Sequence, residues 1–184
     1  MIVAGIYSFK GGKEIFESKF RSDLIEIEQV IAAADSESGR SKTKTGKAQY
    51  KPKYLSKAFG QEFLDRGWQK HEVTCQYSPE HYISSYKPTP DSKSVSREME
   101  FVKNRIGIEV QFGKYRHAVY DLCAKMTIFH KLNVIDAGIE IIPVENFARQ
   151  MPAGMVCFEQ FVWDLEHRGV ADIDIPVLIL GIAK

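Results

Sequence analysis

At 184 residues, 44% of them hydrophobic, the chain is long enough to bury one full core and is read as a single domain over residues 1–184. The charged fraction of 27% is ordinary for a globular protein, and no apolar run approaches the roughly 20 residues of a membrane helix. With no signal-peptide layout in Met1 to Lys10 and three scattered cysteines (Cys75, Cys123, Cys157) lacking any C-x-x-C spacing, a cytoplasmic protein without membrane partner, disulfide framework or zinc site is expected.

In chain order, Met1 to Tyr7 is a short apolar strand or packed arm ending at Gly11-Gly12. From Glu14 to Ala34, apolar residues at helical spacing (Ile15, Phe16, Phe20, Leu24, Ile27, Val30, Ile31) predict one long helix, or one broken near Ser22-Asp23, which can cap a new helical start. Asp35 to Tyr50 is rich in Ser, Gly, Lys and Thr and reads as an exposed loop. The net charge of +1 is unevenly spread. Between Ser38 and Gln61 stand seven basic residues and no acidic one, so that stretch carries +7 and the remainder, +1 minus +7, carries −6. Such asymmetry marks either a solvated lysine loop or a surface that meets phosphates. Tyr50 and Tyr54, interleaved with small polar residues, favour the second reading.

Pro52 fits the first turn of a helix running to about Arg66, with Gly67 as its stop. Trp68 to Tyr77 reads as a strand, and Ser78 to Ser96, with its prolines and serines, as an irregular connection. Tyr115 to Leu132 is a helix whose apolar residues (Ala118, Val119, Leu122, Cys123, Met126, Phe129) cover enough of its circumference to meet both the core and a second surface, a partner helix being one candidate. His117 and His130 on it are too far apart to share a metal. Ala137 to Val144 is an apolar strand, Glu145 to Gln150 a short helix, and Val156 to His167 another helix. Ile175 to Ala183 is a strand buried on both faces. Strands alternating with helices give α/β architecture, a mixed central β-sheet flanked by helices.

The stretch with most chemistry is Arg105 to Tyr115. Ile106, Ile108 and Val110 alternate with Gly107, Glu109 and Gln111, the pattern of a strand with one core face and one polar face. Glu109 and Gln111 project from the same side, and the Val110 carbonyl lies between them, a ledge suited to a hard metal ion. Glu100 lies nine residues upstream across a polar turn at Lys103-Asn104-Arg105, so Glu100, Glu109 and Gln111 can converge. An exposed Glu-x-Gln with no ligand is the ordinary alternative.

Phe101 to Arg105, Ile108 to Tyr115 and Val119 to Leu122 closely resemble the centre of the type II restriction endonucleases of the BglII/BstYI group, its BstYI branch above all. Ile2-Val3, Asp35 to Thr43, Ala58-Phe59, Gly67-Trp68, Gly138 to Pro143 and Val177 to Ala183 extend the likeness over nearly the whole chain, and Ser78 to Ser96 is shorter than in that branch. The resemblance implies a restriction-endonuclease-like PD-(D/E)xK core and a homodimer joined through the Tyr115 to Leu132 helix. It implies Mg²⁺-dependent hydrolysis of double-stranded DNA at a short palindrome, GATC-centred and of the purine-GATC-pyrimidine kind, leaving 5′-phosphate and 3′-hydroxyl ends. A cognate DNA methyltransferase belongs to such a system. By the resemblance, Glu109 and Glu100 bind the metal with the Val110 carbonyl, Gln111 positions water, and Glu26 orients a metal-bound water. Glu100 stands where the group has aspartate, and Glu98 is an alternative ligand if it shares that face. DNA contacts are implied for Lys114 and for Ala153 and Gly154 in a loop that here lacks hydroxyls. Ser36, Ser38, Arg40, Lys42 and Lys44 of the basic loop are candidates for further contacts. The glutamate at position 100 and the altered loop leave open a sequence-specific DNA-binding protein that no longer cuts, and a structure-specific repair nuclease is a third reading.

Overall fold

The computed structural model describes residues 1–34, 37–42, 48–75, 79–87, 95–168 and 173–184. The chain opens with β1 (Ile2–Phe9), then α1 (Gly12–Ser18) and α2 (Arg21–Ala33). The helical pattern is therefore broken at Lys19-Phe20 and not at Ser22-Asp23. Asp23 does not cap a helix start; it is buried and accepts a hydrogen bond from Asn104 Nδ2 at 2.7 Å. A single 3₁₀ turn precedes β2 (Arg40–Lys42), which pairs antiparallel with β3 (Ala48–Tyr50). The predicted loop thus contains a small ribbon, anchored because Tyr50 is buried against Phe147 and its N–H donates to the Gln150 carbonyl.

α3 (Pro52–Asp65) begins on its proline and stops ahead of Gly67, whose φ of +80° is one that glycine adopts without strain. Then come β4 (Gln69–Cys75), β5 (Val95–Lys103) and β6 (Ile106–Val110). The β5–β6 turn holds Asn104 and Arg105 at φ +49° and +66°, the left-handed pair of a tight hairpin. Neither residue is glycine, and tertiary bonds hold both. Asn104 reaches Asp23, while Arg105 reaches the Asn133 carbonyl and Asp136.

α4 (Tyr115–Tyr120) runs without interruption through a π-helical stretch (Asp121–Met126) into α5 (Thr127–Lys131). β7 (Ala137–Pro143), α6 (Glu145–Ala148), α7 (Phe158–Arg168) and β8 (Val177–Ala183) complete the fold. Six strands form one sheet in the order β1-β8-β7-β6-β5-β4, with β6, β7 and β8 parallel and the other neighbours antiparallel. This is the mixed sheet flanked by helices that strand and helix alternation predicts.

Each sheet face has its own core. One packs Phe101, Ile106, Ile108, Val110, Ile139 and Leu180 under α1, α2 and α3. The other packs Met99, Ile142, Val177 and Ile179 under Ala118, Leu122, Met126 and Phe129 of the α4 to α5 helix and Phe161 and Leu165 of α7. The strands β6, β7 and β8 are buried nearly throughout, which is why their sequences run as near-continuous apolar stretches. No described helix is long and apolar enough to cross a membrane.

Candidate active site

The site begins with an irregularity in β5. Between the pairs Gln69↔Val102 and His71↔Met99, β4 advances two residues and β5 three, so β5 carries an extra residue at Glu100-Phe101. Such a bulge bends the strand and interrupts its ladder. On the other side, the β5–β6 ladder ends at Phe101↔Ile108. Two glutamates fill the opening. Glu109 Oε1 accepts from the Glu100 N–H at 3.2 Å, and Glu100 Oε2 accepts from the Val110 N–H at 3.0 Å. Side-chain carboxylates thus replace ladder carbonyls, and the Val110 backbone is turned toward the same gap.

Glu98 lies before the bulge, in regular register opposite Glu72, and its carboxylate pairs with Lys70 at 2.5 Å, a lysine that also meets Glu72 at 3.0 Å. The hydrogen bonds that frame the gap are made by Glu100 and Glu109.

Glu109 and Gln111 do share one side of β6, but that side is not exposed. The α4 to α5 helix covers it, and Glu109 is 2% exposed. From this helix Asp121 and Lys125 enter the site. Lys125 Nζ lies 2.9 Å from Glu109 Oε1 and 2.7 Å from Asp121 Oδ1, while Gln111 Nε2 donates to Asp121 Oδ2 at 3.0 Å. The amide of Gln111 packs so closely over Gly113 that a Cβ there would lie 2.3 Å from its Oε1. Glu140, the neighbour of Glu109 in the parallel β6–β7 register, is fully buried and neither carboxylate oxygen has a hydrogen-bond partner.

Sequence reading missed Asp121, Lys125 and Glu140. A signal existed for two of them: Asp121 and Lys125 are spaced i,i+4 on a helix, but that pattern is common on solvated faces. Glu140 was legible as the lone charge inside the apolar Ala137–Pro143 strand.

Electrostatics follow from this crowding. Burial pushes the Glu109 carboxyl up to about 8; Lys125 opposes the shift, and the Asp121 and Glu100 charges add to it. Burial also raises Glu100, against the Val110 hydrogen bond and Lys125. Glu140 is raised well above the carboxylate range by burial, then by Asp121 and Glu109. Four buried or half-buried carboxyls thus share one ammonium. Among the described residues no three carboxylate, imidazole or thiolate side chains form a closed metal cage. The donors nevertheless suit a hard divalent cation, being all oxygen, in excess of their counter-charge and including an orphaned carboxylate.

Glu26 is elsewhere. Its carboxylate accepts from Trp68 Nε1 at 2.6 Å and from Lys103 Nζ at 2.8 Å, beside the core under α2 and α3. That is the opposite face of the sheet from Glu109, so the water-orienting role implied for Glu26 has no geometric support. Burial alone would raise its pKa, but the bonds from Lys103 and Trp68 outweigh it and lower the carboxyl.

The implied DNA-contacting residues fall into two joined groups. Lys114 Nζ donates to the Ala153 carbonyl at 2.6 Å and lies 3.2 Å from where a Gly154 Cβ would be. Lys114 and Met155 also form an isolated antiparallel bridge. Arg40 and Lys42 are exposed on β2, and the Tyr50 to Gln150 hydrogen bond ties that ribbon to the start of the 151–155 loop. Arg40 is paired with Glu37 at 3.5 Å. Ser36 and Lys44 lie outside the described residues, as does the side chain of Ser38.

Two solved structures share the fold. The crystal structure of the restriction endonuclease BglII with a DNA 16-mer superposes with a TM-score of 0.67 at 18% identity, covering 98% of this chain and 78% of that one. Free BglII gives 0.64 at 16% identity, with 98% and 79% covered. No curated protein sequence matches significantly. Residues 4–182 match the sequence profile of the restriction endonuclease BglII/BglIII family, and the chain belongs to that family.

Proposed function

We propose that this BglII-family restriction endonuclease is a type II enzyme acting as a homodimer on a palindromic duplex site centred on GATC. The observation that carries the reading is the reciprocal Glu100–Glu109 arrangement in the β5–β6 gap, with the Val110 backbone turned into it. Glu100, Glu109 and the Val110 carbonyl are the groups that would hold Mg²⁺. Bound there, Mg²⁺ supplies Lewis acidity toward water and a phosphate oxygen.

The chain's own residues do the rest. Glu109 and Glu100, both acceptors, would place the metal and not the phosphate itself, in the gap they frame. Gln111 has no proton to accept at neutral pH, and Asp121 fixes its amide, so it orients the attacking water and does not deprotonate it. Water attacks phosphorus in line and gives its proton to a non-bridging phosphate oxygen of the substrate, the bond to the 3′-oxygen breaks, that oxygen takes up a proton from solvent, and 5′-phosphate and 3′-hydroxyl ends remain. Lys114, joined to Ala153 and Gly154, forms the unit that reads base edges, a lysine being suited to guanine O6 and N7. Arg40 and Lys42 supply phosphate contacts from the ribbon.

A two-fold homodimer reads a palindrome with two copies of one surface. Beside the α4 to α5 helix, a groove of about 390 Å³ lined by Tyr115, Val119, Cys123, Phe161 and Leu165 offers the apolar face such a dimer needs. The host of such an enzyme requires a methyltransferase of the same specificity.

One observation favours a second reading, a DNA-binding protein that does not cut: the longer Glu100 side chain is already engaged by the Val110 N–H. Incubation with unmethylated phage DNA in Mg²⁺ and in EDTA decides between them. Discrete Mg²⁺-dependent fragments are expected, with the pattern of cleavage at purine-GATC-pyrimidine. Retained binding to a GATC duplex without cleavage would give the second reading its place.

A further inference from the structure

The strand position two residues after Glu109 is filled by Gln111, so β6 itself brings no cation to the carboxylates. Among the described residues the ammonium that reaches Glu109 is Lys125, from the helical layer above. The backbone that carries it is irregular. Asp121–Met126 is π-helical in the middle of an otherwise α-helical run, a geometry found mostly as single turns at functional positions. From this stretch Asp121 and Lys125, spaced i,i+4 and so on one face, meet at Glu109, while Leu122 and Met126 lie buried in the core beside them.

Stability does not account for this arrangement. The Lys125 side chain is 13% exposed and that of Glu109 3%, and taking such charges out of water offsets much of their mutual attraction. What the contact does is set direction. Lys125 and the Glu100 N–H meet the same oxygen of Glu109, Oε1, at 2.9 and 3.2 Å, which fixes the rotation of the carboxylate and leaves Oε2 unengaged by either bond.

We propose that Lys125 is a positioning residue of the cleavage site, bringing from the helix the cation that Gln111 does not bring on the strand and holding Glu109 with one oxygen turned toward the metal position. The inference rests on the endonuclease reading above. It has a two-sided consequence. A cation beside the ligands opposes divalent-metal binding, yet the same cation keeps Glu109 aimed, so its removal tightens metal binding while slowing cleavage.

The test uses the full chain as Lys125→Met and Lys125→Arg beside wild type. Thermal melting and GATC-duplex binding in EDTA serve as controls, and Mn²⁺ affinity is read by electron paramagnetic resonance alongside Mg²⁺-dependent cleavage. Lys125→Met is expected to bind Mn²⁺ about tenfold more tightly and to cut about a hundredfold more slowly at saturating Mg²⁺. Lys125→Arg, which keeps the charge, recovers most of both. Unchanged or weaker Mn²⁺ binding in Lys125→Met overturns the proposal, as does near wild-type cleavage. A cleavage loss that merely tracks lost melting temperature and lost DNA binding overturns it too, because it assigns Lys125 to the core. A wild-type protein that cuts nothing defeats the endonuclease reading instead, and the Mn²⁺ comparison then still decides on Lys125.

Discussion

The two faces of the sheet each hold a glutamate joined to a lysine, and the two pairs behave in opposite ways. On one face, Glu26 has Lys103 and Trp68 for partners, and its carboxyl is lowered despite partial burial. On the other, Glu109 has Lys125 but also Asp121, Glu100 and Glu140 nearby, and its carboxyl is raised to about 8. The first pair is complete and holds a helix to the sheet. The second is short of positive charge, and a buried deficit of that kind is costly to fold and useful to a site that receives a cation. Partner number, more than the presence of an ion pair, separates the two glutamates.

The largest way to break the comparison is to neutralise each glutamate in turn. Glu109→Gln should reduce Mg²⁺-dependent cleavage by on the order of a thousandfold while duplex binding in EDTA persists. Glu26→Ala should instead cost about 1–3 kcal/mol of stability, read by denaturant unfolding, because Trp68 and Lys103 lose their shared acceptor, with cleavage per folded molecule close to wild type. Cleavage that collapses in Glu26→Ala without loss of stability would return Glu26 to the active site.

A pH profile sharpens the same contrast. Glu109 titrates near 4.5 when unfolded and near 8 when folded, so between those values the folded state holds a proton the unfolded state has lost. The metal-free protein should lose stability as pH rises through that window, and added Mg²⁺ should reduce the loss. Glu26, lowered in the folded state, contributes with opposite sign: its stabilisation is present above the ordinary carboxylate pKa and is lost as pH falls below it. Melting temperatures across roughly pH 2.5 to 9, which reach well below the ordinary carboxylate pKa as well as through the Glu109 window, read both limbs in one experiment.

The smallest expected effect is at Glu140. Glu140→Gln removes an ionisable group that nothing partners, so the metal-free protein should melt slightly higher at alkaline pH, its pH slope shallower than wild type. A large destabilisation would mean that the Glu140 carboxyl has a partner the present geometry does not give it.

Much of the fold was legible because it depends on local pattern. Pro52 and Gly67 bracket α3, the alternation in Ile106–Val110 marks β6, and the apolar run before Ala183 marks β8. The Glu100–Glu109 pair was legible for the same reason, a hairpin joining two nearby strands. What sequence could not supply were features set by distant neighbours. The extra residue in β5 opens the ladder where Glu100 and Glu109 meet, while Glu98 before it pairs with Lys70, and nothing local announces the irregularity. The α4 to α5 helix closes over Glu109, converting a face that reads as exposed into a buried one and bringing Asp121 and Lys125 with it. Glu26 was placed by its likeness to family members, yet its partners Trp68 and Lys103 lie 42 and 77 residues away in sequence.

The β5–β6 gap framed by Glu100 and Glu109 is the proposed metal-dependent DNA-cleaving site. Its most direct test is to incubate wild type and Glu109→Gln with unmethylated phage DNA, each with Mg²⁺ and with EDTA. Discrete fragments are expected only for wild type with Mg²⁺. Fragments that persist in EDTA, or equal cutting by Glu109→Gln, would contradict the assignment.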